Sequence, residues 1–567
     1  MKKILLLIPV TAVLAFTACK KPVQEEGPLE MLDEDYIFDP VDKNGNYSEQ
    51  FLSDIYAQMP QGFNRIGGGF TGAGSAILDA ATDDAVPSQN GGNIDNLIYG
   101  RLDAVFNPDD AWGKNYTAIR KVNVFLAKVD RVPKAADTRA YWKTEARFLR
   151  ALFYFELVKR YGGVPIVGDN VYAYTDKINP PRNSFSDCIE YIVGELDAIK
   201  PIARDEKTLD EGDYGRATQG IIMALKSRVL LYAASPLFNG GNIGNGDQQR
   251  RVSGYPDYSI ERWKRAALAA REVVALNYYK LGTNYRDVFL KRGNTNLDII
   301  LPYLRGKTRD IGENNGPVGF TQSAAGRGLT SPTQDLAEAF LMTNGKPITD
   351  PSSGYNPDQP AKNRDARFAT IFMYNGMRWF KRPLQTYEGG LDKPGGATVQ
   401  TKTSYYMLKF IFNGADQSGY SDQDYNFPII RYAEILLNLA EAENEVNGPV
   451  KEVTDALKAV RDRGFKQALP IGLTQETCRK LIRQERRVEL VFEEHRYYDL
   501  RRWKTAEQEL NKQLYGQKIV MNADSTFSYS KVPVGTIRFD APRMYLYPVP
   551  FSELQRNANL IQNRGWE

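Results

Sequence analysis

The densest chemistry in this sequence lies in Glu485–Trp503, ERRVELVFEEHRYYDLRRW. It holds the only histidine, His495, among Glu485, Glu489, Glu493, Glu494 and Asp499 and the arginines Arg486, Arg487, Arg496, Arg501 and Arg502. Two chemistries use these residue types. A carboxylate beside an imidazole performs general acid–base work. Arginines and carboxylates at helical spacing instead cross-link neighbouring helices through bidentate contacts. Leu481, Val488, Val491, Phe492 and His495 share one face of a predicted helix over 475–503, with the charges surrounding it. The cross-linking reading is therefore the one carried forward.

Other chemistries are excluded by count. One histidine rules out multi-His metal sites, and a Ser-His-Asp mechanism would have to use His495. Three cysteines, Cys19, Cys188 and Cys478, are too few for a disulfide framework or a cysteine-rich zinc site. Cys188 and Cys478 are expected as buried free thiols. Gly67–Gly72 matches a dinucleotide-binding pattern by letters but lacks a preceding strand and a following helix. Asp42–Asn46 begins like a calcium loop, yet Tyr47 and Ser53 occupy the positions that need Gly and Glu. An ordinary turn is expected there, whereas Asp416–Asp424, acidic and loop-like, could hold a calcium ion. No resident metal or cofactor is expected, and a pair of loop carboxylates acting as a glycosidase is the enzyme alternative. The charge balance, +4 with both signs mixed, offers no nucleic-acid stripe.

The elements that would position chemistry are mostly helices. Periodicity predicts them at 112–129, 141–161, 185–199, 216–235, 260–277, 431–447, 450–463 and 475–503. Gly162-Gly163 and Pro165 end the second. Many form antiparallel pairs with small residues at close approaches, such as Ala224, Ala233, Ala433, Ala440 and Ala442. The pattern resembles a tetratricopeptide array without a clean 34-residue consensus. From about 280 to 428, Gly, Asn, Pro and aromatics dominate. This predicts a loop-rich insertion with small strands, including Ile299–Leu304 and Met407–Phe412. Residues 60–110 read as long loops, and 515–550 as carrying strand-like pieces such as Arg543–Val549.

The N-terminus carries an address. Lys2 and Lys3 precede an apolar run, Ile4–Phe16, too short to span a bilayer. Phe16-Thr17-Ala18-Cys19 resembles a lipobox, in which lipid joins the cysteine thiol and cleavage leaves it first. This predicts a signal peptide at 1–18, lipidation of Cys19, a polar tether over 19–45 and one folded unit over 46–567. An ordinary secretory signal is the alternative.

Four stretches together resemble the SusD/RagB family of Bacteroidetes surface lipoproteins. They are Glu485–Trp503, Glu145–Pro165 (EARFLRALFYFELVKRYGGVP), Phe427–Glu443 (FPIIRYAEILLNLAEAE) and Pro548–Gly565 (PVPFSELQRNANLIQNRG). The resemblance implies a mainly α SusD-like scaffold with tetratricopeptide-like helix pairs, and no catalysis. It implies capture of oligosaccharides at the cell surface and delivery to a SusC-like TonB-dependent transporter in the outer membrane. Peptides or another small nutrient are the alternative ligand.

The family's binding loops correspond to about 83–105 and 303–330. An aromatic ring meets the C–H face of a sugar, while amides and charged groups meet its hydroxyls. The expected ligand contacts are Asp84, Asn90, Asn93, Tyr99, Tyr303, Arg305, Asn315 and Phe320. Neither loop contains Trp, so Tyr or Phe must serve as platform there. Trp379, near Tyr374 and Tyr387, is an alternative. Trp112, Trp142, Trp263 and Trp503 fall in helical patterns and are expected in the core.

Overall fold

The computed structural model describes residues 34–67, 75–173, 175–321, 324–395, 400–412 and 417–567. The lipobox cysteine, most of the tether and most of the Gly67–Gly72 run lie outside them. The chain is mainly helical, and among the described residues the strands pair only in twos.

The helices pack as a running series. Trp112–Lys128 lies against Ala136–Tyr161, which meets Phe185–Ile199, which meets Gln219–Ala234, which meets Ile260–Ala275. The chain then leaves this scaffold and returns at Tyr432–Asn447, which packs directly on Ile260–Ala275. Lys451–Arg461 and Gln475–Glu489 complete it. Inner helices are buried on several sides. In Gln219–Ala234, fourteen of sixteen residues are buried, so this element can offer no ligand face.

Local sequence explains several boundaries. Ser184 opens Phe185–Ile199 with a capping box: its hydroxyl accepts from Asp187 N at 3.0 Å, and the Asp187 carboxylate accepts from Ser184 N at 3.3 Å. Ser184→Ala is expected to cost about 1 kcal/mol, read as a small drop in the denaturation midpoint. Gly162 ends Ala136–Tyr161 at φ 78°, and any Cβ there would strike the carbonyl oxygen of Val252.

Three sequence expectations are corrected. Residues 34–38, expected in the tether, are part of the folded structure. Glu34–Ile37 is helical, and Phe38 is fully buried against Phe51 and Phe125. The predicted 475–503 helix is two helices, Gln475–Glu489 and His495–Arg502. Between them Phe492 and Glu494 take positive φ angles. The buried Asp79 carboxylate accepts from their two amides at 3.0 and 3.2 Å, replacing helical partners. Finally, strands do occur in the expected 515–550 stretch, as the hairpin Lys512–Met521 and Phe527–Ile537, but Arg543–Tyr545 is a 3-10 turn instead of strand.

The charges of 485–503 cross-link this core. Arg367 bonds Asp365, Glu485 and Glu489; Arg431 bonds Glu489 and Glu493; Lys409 bonds Glu493; Arg502 bonds Glu441 and Asp499. His495 is buried, and burial together with Arg228, Arg486, Arg431 and Arg502 holds its pKa well below the usual imidazole range. Cys188 and Cys478 are buried and free.

Candidate ligand-binding face

Strand Ala85–Pro87 pairs antiparallel with Thr330–Pro332. The pairing continues outward: Ser88 N donates to Leu329 O at 3.0 Å, and the Ser88 and Ser331 hydroxyls lie 2.7 Å apart. The second loop is closed on itself by Gly326 N to Pro317 O and Gly328 N to Gly316 O. Backbone bonding therefore joins the two predicted loops at one edge, although 240 residues of sequence separate them.

Asn90, Asn93, Tyr99 and Phe320 all lie on these loops with accessible surface. Asn90 is exposed and accepts from Lys402 Nζ at 2.6 Å. Asn93 opens the short helix Asn93–Ile98, and Tyr99 ends it, packed on the core with one part of its ring outside. The Arg101 guanidinium sits 4.7 Å from the Tyr99 ring centre. Phe320 meets Phe380 edge-on at 5.4 Å and carries the Arg382 guanidinium 3.8 Å above its ring. Arg382 is clamped by the fully buried Asp392 through bonds of 2.7 and 3.0 Å, and by Gly319 O at 2.8 Å. Tyr99 and Phe320 are thus each covered by arginine, an arrangement that favours cation–π contact. Partial burial lowers the Lys402 pKa, partly offset by Asp95.

Tyr303 and Arg305 lie on strand Ile299–Thr308, which pairs with Gln423–Arg431. Tyr303 is partly buried against the core. Arg305 bonds Asp310 Oδ2 at 2.5 Å, so its charge is already partnered within the loop.

Three expected contacts are withdrawn because their side chains are enclosed. Asp84 is fully buried and accepts from Arg487 Nε at 2.7 Å. Asn315 is fully buried and exchanges amide bonds with Asn64 at 2.7 and 3.2 Å. Trp379 is fully buried beside Phe380, with ring centres 5.0 Å apart. Trp112, Trp142, Trp263 and Trp503 are core residues as expected, and Trp566 is partly buried, donating to Arg543 O and Leu546 O. Lys402 and Arg382 were not expected. Their sequence surroundings carry no binding signal; only the fold brings them to Asn90 and Phe320.

No group of three potential metal ligands occurs among the described residues. Asp42 instead closes an ordinary turn, accepting from Tyr47 N at 2.9 Å; Asp416 lies outside the described residues. A groove of about 1040 Å³ runs between Trp112–Lys128, the 165–180 segment and the C-terminal helix Phe551–Arg556, and none of the nine expected contacts lines it. No helix among the described residues is long and apolar enough to cross a membrane.

Comparison with known proteins agrees with this architecture. A solved SusD-like protein from Bacteroides fragilis superposes with a TM-score of 0.75 at 26% identity, covering 94% of this chain and 98% of that one. SusD-like protein P25 of Formosa agariphila is 24% identical over 485 residues, 80% of this chain and 78% of its own length. The starch-binding protein SusD of Bacteroides thetaiotaomicron is 23% identical over 483 residues, 79% of this chain and 77% of its own. Residues 75–231 match a family described as starch-binding and associating with the outer membrane, and residues 299–566 match the SusD family. Together with the helical series and its loop-rich insertion, these matches place the chain in the SusD/RagB family.

Proposed function

We propose that this protein captures oligosaccharides at the cell surface and hands them to a SusC-like TonB-dependent transporter, held to the outer membrane by lipid on Cys19. The observation that carries the ligand reading is the joined loop face. It presents two partly exposed aromatic rings, Tyr99 and Phe320, together with the amides Asn90 and Asn93. Apolar rings flanked by amides and guanidinium groups suit a sugar's C–H face and hydroxyl rim. Family membership supports carbohydrate as the ligand class, since one matching family is described as starch-binding and associating with the outer membrane. That description also supports the location.

Binding without bond cleavage is part of this reading. The lone histidine is buried, so the loop face has no imidazole for proton transfer. The test is calorimetric titration of the mature chain without Cys19 against a panel of oligosaccharides and peptides, with each mixture checked for products. Saturable binding to one glycan class with no cleavage is expected. Binding to peptides alone, or release of products, would overturn the glycan-capture reading.

A further inference from the structure

A cavity of about 330 Å³ lies between residues 358–375 and the hairpin Lys512–Met521/Phe527–Ile537. This volume is near the lower end of ligand pockets, which run roughly 300–1,000 Å³. None of the residues of the loop face lines it.

Its most telling residue is Gln517. Only 5% of Gln517 is exposed, and its backbone is occupied: the N–H donates to Thr403 O and the carbonyl accepts from Ser404 Oγ. Gln517 lines the cavity, and its side-chain amide is reached by solvent rather than sealed in the core. An amide facing solvent in a cavity wall bonds water until a ligand hydroxyl takes the water's place. Two partly exposed tyrosines, Tyr374 and Tyr529, stand in the same walls. Tyr529 is oriented by a hydrogen bond from Asn375, whose own oxygen accepts from Thr386 N at 3.2 Å. At the mouth, Asp358 and Lys362 are exposed and form no ion pair among the described residues. Their charges cancel, which disfavours a polyanion and leaves hydrogen-bonding groups suited to hydroxyls.

We infer that this cavity is a second carbohydrate site, taking one or two rings of a neutral pyranoside. Tyr374 and Tyr529 contact the C–H surface, while the Gln517 amide bonds adjacent hydroxyls. The inference rests on the glycan-binding reading but uses residues remote from the loop face. It describes a site for a chain end or branch, whereas the open loop face suits a longer segment.

The test uses methyl glucoside, methyl mannoside and methyl galactoside, with their neutral disaccharides, in saturation-transfer NMR titrations of the full mature chain. Saturable millimolar binding of at least one probe is expected. Gln517→Leu, close in size and without the amide, should weaken it at least tenfold while retaining the wild-type circular dichroism and thermal midpoint. Tyr529→Phe, which removes only the hydroxyl, is the milder control and should retain most of the binding. The part of probe binding that Gln517→Leu removes should persist in Tyr99→Ala with Phe320→Ala. No probe bound, or undiminished binding in Gln517→Leu, would overturn the second site. Oligosaccharide binding lost only in the loop-face variant would leave the principal reading standing when the cavity inference fails. Probe binding lost in Gln517→Leu with oligosaccharide binding indifferent to Tyr99 and Phe320 would do the reverse.

Discussion

Glu489→Gln is expected to destabilise the folded protein by about 3–5 kcal/mol at neutral pH, the usual cost of removing one partner from a buried ionic network. Glu489 is fully buried, and its carboxylate accepts from Arg431 and Arg367 at 2.7 Å each and from Arg463 at 3.1 Å. Glutamine preserves the shape but leaves these guanidinium groups facing a neutral amide. Burial by itself would raise the Glu489 pKa; Arg463, Arg431 and Arg367 outweigh it and hold the value at about 2. A carboxylate depressed on folding contributes stability above its unfolded pKa, roughly 4.3 for glutamate, and loses it as pH falls. The gap between wild type and Glu489→Gln should therefore be full at pH 7 and narrow progressively from about pH 4.5 toward about pH 2. Urea midpoints across that range measure it. Equal midpoints at pH 7 would mean that the arginines find other partners when this carboxylate is removed.

The same network marks what could be read from the chain. Phe185–Ile199 was legible because its start signal is local: Ser184 and Asp187 cap it without help from any distant residue. The break after Glu489 was not, because Asp79, about 400 positions earlier, captures the amides of Phe492 and Glu494. The loops expected to bind ligand divide in the same way. Asn90 and Tyr99 belong to a segment whose Gly and Asn content already implies exposed chain. Asp84 and Asn315 have equally suitable side chains for sugar hydroxyls, but Arg487 and Asn64 enclose them. Residue type specified what each group can bond; partners remote in sequence decided whether solvent could reach it. Gln517 shows the converse. Its place in a hairpin strand gave no hint of a cavity, which exists only because 358–375 pack beside that strand.

At the loop face, Tyr99→Ala combined with Phe320→Ala should weaken binding of the captured oligosaccharide by about 100-fold, as expected when two aromatic contacts of roughly 1–1.5 kcal/mol each are lost. The two rings should not contribute equally. Arg382 is held over Phe320 by both oxygens of Asp392 and by Gly319 O, so uncovering that ring requires breaking a clamped ion pair. Arg101, over Tyr99, makes no ion pair among the described residues and is exposed, so it can swing aside or follow the ligand at little cost. A sugar ring therefore displaces Arg101 more readily than Arg382, and Tyr99→Ala alone should account for most of the loss. Calorimetric titration of each single variant and the double variant measures the division. Near-wild-type affinity in all three would remove these rings from the ligand site. A larger loss in Phe320→Ala would mean that the Arg382–Phe320 pair binds as a preformed unit, with the clamped guanidinium meeting hydroxyls beside the ring. Asp392→Asn separates that case: loosening Arg382 would then weaken binding, whereas with Tyr99 as platform it would leave affinity nearly unchanged.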